Sequence, residues 1–212
     1  MTRILLRGLL GLLVLSTSAV FAADVPALSR QTGLSVAVIE TAASFGRNPR
    51  RLIGMNDKGD EAPAKGVMID VPAKDAFPAV EKIRAALGKG YVVFVSEQNF
   101  NINNKPDQVA VIRSDDQLDA LRIMGTNGIN YDLETKHVLQ QLKRWDKKYG
   151  LTIVGAGMDW VQASFKMKPS PMLPFAREVY KFCPDVVDQG TDTVEKLAEE
   201  MARGNTLYLW WD

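Results

Sequence analysis

Apolar residues along this chain repeat at two different spacings. In 172–183, Met172, Phe175, Ala176, Val179, Tyr180 and Cys183 stand at i, i+3, i+4, i+7, i+8 and i+11. Those offsets share one face of a helix, and Pro184 halts it. In 132–150, Val138, Leu139, Leu142, Trp145 and Tyr149 form a second stripe, closed by Gly150. Val80, Ile83 and Leu87 mark a third helix before Gly88 and Gly90. A fourth is predicted over 192–204. It opens with Asp192 and Glu195 in capping-box spacing, buries Val194, Leu197, Ala198 and Met201, and stops at Gly204. Shorter helices are predicted over 114–125, with Ser114 as N-cap, and over 25–46, as one or two pieces.

Between these segments the pattern changes to runs and alternation. "YVVFVSE" (91–97) and "DQVAVIRS" (107–114) are β-branched, apolar runs that predict buried strands. "GVMIDVPA" (66–73) predicts a shorter one. "LTIVGAG" (151–157) and "DWVQASFK" (159–166) predict a hairpin turning near 155–159. The closing "TLYLWWD" (206–212) alternates Leu207, Leu209 and Trp211 against Tyr208 and Trp210, which reads as a strand with a tryptophan on each face. The polar stretch "MNDKGDEAPAKG" (55–66) reads as a loop or linker. It divides an N-terminal helical segment and linker (23–66) from a main body (67–212). Consecutive strands interleaved with helices predict an α+β fold: a single mixed, largely antiparallel sheet with packed helices, its C-terminal strand ending at the chain terminus.

The first residues follow neither spacing. Arg3 and Arg7 precede or punctuate the apolar run "GLLGLLVLSTSAVFA", which ends in small residues. Residues 1–22 are therefore expected to be a signal peptide cleaved after Ala22, which makes the product periplasmic or secreted. The run is short of the ~20 apolar residues of a membrane span, so no stable membrane anchor is expected after cleavage. Charge adds little. The 26 basic residues face 25 acidic ones, and losing Arg3 and Arg7 leaves 24 against 25. That balance argues against a nucleic-acid partner. The one cysteine, Cys183, forbids an intramolecular disulfide.

Familiar catalytic patterns are lacking. "GAGMDW" (155–160) has Trp160 where a dinucleotide loop needs its third glycine, and no helix is predicted after it. The single histidine, His137, lies off the apolar stripe of its helix and reads as a solvated residue. One imidazole cannot build a histidine-rich metal site, and no cofactor or resident metal is expected. Cys183 reads as a buried apolar residue near a helix C-terminus, where the dipole raises a thiol pKa. "CPDVVDQGTD" (183–192) is the more pointed stretch. Asp192 is accounted for as an N-cap. Asp185 and Asp188, with Gln189 in the same connection, either tie the turn by hydrogen bonds to backbone or, as two carboxylates, form an acid/base pair or hard-cation ligands.

The run "FAREVYKFCPDVVDQGTDTVEKLAEEM" followed by "LYLWWD" closely resembles the C-terminal signature of the bacterial domain of unknown function 4253 family. The positions that carry the resemblance are Phe175, Ala176, Glu178, Tyr180, Phe182, Cys183, Pro184, Asp185, Gln189, Gly190, Trp210, Trp211 and Asp212. It extends over roughly 90–212, a domain's length. It implies no activity and supplies no catalytic residues.

The expected function is thus a non-enzymatic binding or interaction module, an inhibitory or immunity-like role being one form of it. Its partner is an unspecified protein or small molecule. Its candidate binding residues are Phe182, Asp185, Asp188, Gln189, Gly190, Trp210, Trp211 and Asp212. The alternative is a carboxylate-dependent, metal-assisted hydrolase using Asp185, Asp188 and Asp212, which requires those carboxylates to converge in one pocket. On either reading, Asp212 should lie near the turn that holds Asp185 and Gln189.

Overall fold

The computed structural model describes residues 24–212; the expected signal peptide lies outside them. Two short helices come first, α1 (Val25–Thr32) and α2 (Val36–Ala43). Asp24 and Ser35 cap them by accepting the Ala27 and Val38 N–H groups. Strands β1 (Arg47–Met55) and β2 (Glu61–Val71) follow, then α3 (Ala73–Leu87), β3 (Tyr91–Glu97) and β4 (Asp107–Arg113). The remainder runs α4 (Asp119–Met124), α5 (Thr135–Tyr149), β5 (Leu151–Ala156), β6 (Trp160–Phe165), α6 (Met172–Phe182), α7 (Val194–Gly204) and β7 (Thr206–Trp210). All seven strands join one mixed sheet in the order β1-β2-β4-β3-β5-β6-β7, antiparallel except for β3 beside β5. This is the α+β architecture expected from the pattern.

Three local expectations are corrected. Residues 55–66 are not a linker. They hold the end of β1, a tight turn and the first half of β2, so the sheet runs through them. That half of β2 (Glu61 to Lys65) extends past β4 and carries small or charged side chains, none of them buried, which hid it from a search for apolar runs. Its carbonyls are served partly by Arg51, which donates to Ala64 O at 2.9 Å and Pro63 O at 3.1 Å. Ser114 does not cap α4, which starts later; its hydroxyl accepts the Asp116 N–H at 2.9 Å and donates to Asp119. The cap of α7 is Thr193, whose hydroxyl accepts the Lys196 N–H at 3.2 Å, while Asp192 pairs with Lys196 at 2.8 Å.

The sheet has helices on both sides, but not along its whole width. Val67, Ile69, Val93, Val95, Val109 and Val111 pack with α1, α2 and α3. Their strand neighbours Met68, Phe94, Ala110 and Ile112 pack with the opposite layer of α4 to α7. Strands buried on both faces read as unbroken apolar runs, which explains "YVVFV" and "VAVI". Over β5–β7 the layer of α1 to α3 stops. Leu151, Ile153, Val161, Ala163, Leu207 and Leu209 are buried toward α5–α7. On the other face Thr152, Gln162, Ser164, Thr206, Tyr208 and Trp210 stay half-buried.

The join between β3 and β5 is thin. The two parallel strands pair through one bridge, Val95↔Gly155. On one side of it, side chains replace the missing ladder. The Gln117 amide accepts the Ile153 N–H at 2.9 Å and donates to Leu151 O at 3.0 Å, as a neighbouring peptide would. Arg84 donates to Val93 O at 2.5 Å and to Ile153 O. On the other side of the bridge the strands part.

Candidate functional site

Part of the predicted set, Phe182, Asp185, Gln189, Trp211 and the Asp212 backbone, meets around Asp185. A single π-turn (Val186–Thr191) after α6 brings Asp185 inward, 2% exposed. Its carboxylate accepts three hydrogen bonds: from Tyr131 Oη at 2.5 Å, from the Asp212 N–H at 2.9 Å and from Gln189 Nε2 at 3.0 Å. Burial pushes the Asp185 pKa up, but those three donors outweigh it and the carboxyl sits below the ordinary carboxylate range. The same bond pushes the Tyr131 phenol up to about 12.

Around this hub the chain end is fastened at four further points. The Trp211 N–H donates to Asp159 O at 2.9 Å. Its indole N–H reaches Phe182 O at 3.5 Å, and its ring meets Phe182 edge-on at 5.8 Å. Cys183 Sγ donates to Trp210 O at 2.9 Å. Trp211 also lies flat over Gly128, where any Cβ would come within 2.8 Å of the indole. Burial pushes the Cys183 thiol up to about 12, so it is no nucleophile at neutral pH. Phe182, Asp185, Gln189 and Trp211 therefore act together as a fastening for the last residues.

The other predicted residues stand apart. Asp188 is exposed and accepts from Tyr180 Oη at 2.9 Å. Gly190 is exposed on the π-turn. Asp212 meets Asp185 through its backbone N–H, and the residue lines a second cleft. His137 is a correction. It is half-buried, and its Nδ1 accepts the Glu134 N–H at 3.1 Å as half of a capping box at the start of α5. Among the described residues, no group of three or more His, Cys, Asp or Glu side chains could hold a metal ion.

A different concavity is open. Where β3 and β5 part, a cleft of about 1040 Å³ separates Ser96, Gln98 and Gln108 from the β5–β6 turn and the uncovered face of β6 and β7. Trp160, Tyr208 and Trp210 form its aromatic wall, with Gln162 beside them. Trp160 and Tyr208 stack at 6.0 Å, and the Tyr208 hydroxyl donates to Gln98 Oε1 at 3.3 Å. Burial and the nearby Asp159 carboxylate push the Tyr208 phenol up to about 12. Gly155 and Gly157 lie under Trp160, and a Cβ at either would collide with its ring. They serve to seat an indole, not to cradle a phosphate. Exposed Met158, Phe100 and Ile53 form the rim.

A second cleft of about 800 Å³ shares Met158 and Asp159 with the first and continues past Trp211, Asp212 and Ile129. Of the predicted residues, Trp210 lines the first cleft, and Trp211 and Asp212 line the second. Sequence reading missed Tyr131, Met158, Asp159 and Tyr208. Tyr131 ends a single 3-10 turn (Ile129–Tyr131) with no periodic apolar pattern, 54 residues before its partner. The signal for Tyr208 was present, since it is the polar-side aromatic of an alternating strand.

Compared with known proteins, residues 108–212 match the family model described as a domain of unknown function (DUF4253). No curated protein and no solved structure matches the chain.

Proposed function

Taking as premise that the chain belongs to the DUF4253 family through residues 108–212, we propose that it is an exported, non-enzymatic binding module whose ligand enters the cleft between β3 and the β5–β6 turn. One observation carries the reading. The acidic signature is spent on holding the chain end, while the uncovered sheet face beside it is concave, aromatic and rich in amides. Concave apolar surfaces with a few convergent polar groups are the usual form of a binding site.

The carboxylate hydrolase has no comparable support. Asp185 is enclosed by three donors and held ionised, so it has no proton to give as a general acid. Asp188 is exposed and bonded to Tyr180, and Asp212 lines a cleft that Asp185 does not. Export rests on the sequence of residues 1–22, and a secreted product beginning at Ala23 on N-terminal sequencing is its expected mark.

The test is capture from a periplasmic extract by the mature protein, run beside Met158→Arg and Asp188→Ala variants. Both positions are exposed, so neither change should disturb folding. Asp185→Ala is unsuitable because it would loosen the chain end itself. A ligand retained by wild type and Asp188→Ala but lost with Met158→Arg supports the cleft. Retention that ignores Met158→Arg, or no retention at all, counts against it.

A further inference from the structure

The two clefts join at Met158 and Asp159, and their combined surface has a definite chemistry. Half of the ten charged side chains along it are already paired. Arg50 bridges Asp70 at 2.7 Å, Lys105 bridges Glu97 at 2.9 Å, and Lys136 bridges Glu134 at 2.9 Å. Arg122 is held by Asp116 at 2.8 Å and by Asp119. Asp57, Glu61, Asp159 and Asp212 remain, exposed and outside every ion pair among the described residues. Lys58 is the one unpaired cation lining the same surface among the described residues. Four unpaired carboxylates against one ammonium give the groove an acidic field within a chain whose total charge is close to zero.

Its apolar part is equally distinctive. Met55, Met68, Met124 and Met158 line the two clefts, half of the eight methionines in the chain. Phe100, 68% exposed, and Ile129, 69% exposed, stand at its two ends. Unbranched, polarisable methionine side chains adapt to varied apolar surfaces, and they are over-used where a groove accepts a peptide. Thioethers are only weak hydrogen-bond acceptors for a neutral polyol, and the unpaired carboxylates would repel an anionic ligand.

We propose that the joined groove binds a basic amphipathic protein segment. The apolar residues of the segment would pack on the methionines and Phe100, and its Lys or Arg side chains would meet Glu61, Asp159, Asp57 and Asp212. This inference rests on the binding-module reading and names the partner chemistry of that site.

Calorimetric titration of the mature protein with three probes tests it: a synthetic Lys/Leu amphipathic peptide, its Glu/Leu counterpart, and a neutral oligosaccharide. The Lys/Leu peptide is expected to bind, and the other two are not. Its affinity should fall several-fold between about 0.05 M and 0.3 M salt. The surface variant Asp57→Asn/Glu61→Gln/Asp159→Asn should weaken it by roughly ten-fold or more, with an unchanged thermal midpoint as the folding control. Equal binding of the Glu/Leu peptide, or an unaltered affinity in the charge variant, overturns the inference. Binding of the oligosaccharide instead overturns it while leaving the cleft a binding site. If none of the three binds, the inference is lost, and the binding-module reading is then decided by Met158-dependent capture alone.

Discussion

Asp185 shows how one side chain can look catalytic in a sequence and be structural in the fold. A carboxylate buried among aromatic and aliphatic neighbours is costly unless its lone pairs are filled. Here a hydroxyl, an amide and a backbone N–H fill them. Replacing Asp185 by Ala removes three hydrogen bonds to a buried charged acceptor; because Tyr131, Gln189 and Asp212 can turn to water, the expected net cost is about 1–3 kcal/mol. The expected result is a lower urea midpoint with an unchanged slope. The pH dependence has a definite sign. Because the folded pKa of Asp185 is lowered, its contribution is present above the ordinary carboxylate pKa and is lost as the pH falls through the folded value. Wild type should thus lose more stability on acidification than Asp185→Ala, as read by urea denaturation at neutral and acid pH.

Among the elements, the weak one is the β3–β5 pair. A sheet with one parallel bridge at its centre would leave several backbone groups of β5 without partners, and Gln117 and Arg84 supply them. Gln117→Leu keeps the bulk and removes both hydrogen bonds. It should destabilise the protein by about 1–3 kcal/mol, the cost of leaving buried backbone groups unpaired. It should also speed amide exchange at Ile153 relative to Ile112, whose strand is paired on both sides; exchange that leaves this contrast unchanged would show that Gln117 does not hold the seam. The final strand is held differently. β7 pairs with β6 from Trp160↔Trp210 to Ser164↔Thr206, and the two residues beyond it are fixed by Asp159 O and Asp185. Helix starts were the least legible features, because Ser114, Asp192 and Thr193 are all competent caps and their roles depend on where the preceding chain enters.

Across the whole molecule, the family match begins at Gln108, inside β4, so its boundary cuts through a sheet that is continuous in space. Residues 24–107 supply β1, β2 and β3 and the layer of α1 to α3 over them. Without them Val109 and Val111, which are fully buried, would face water, and β4 would lose both of its partner strands. A fragment of residues 108–212 is therefore expected to lack the near-ultraviolet circular dichroism of a packed core, where the 24–212 chain shows it. A native spectrum from the fragment would show that the family-matched part folds alone. The same N-terminal residues complete the proposed groove, since Glu61, Met68 and Phe100 come from outside the matched region.

The sequence by itself determined what local pattern can carry. Helical stripes and strand runs specify the elements, the α+β class and a last strand running up to Trp210, because side-chain direction follows backbone period. It also linked "FCPD" to "LWWD", two stretches that do meet. Only the tertiary structure decided what that meeting is for. The answer depended on Tyr131, contributed from a single patternless 3-10 turn, and on which lone pairs of Asp185 were already filled. The open groove was equally illegible. It exists because β3 and β5 separate after one bridge and, among the described residues, the layer of α1 to α3 does not extend over that face of β5–β7, and both are facts about how distant elements pack.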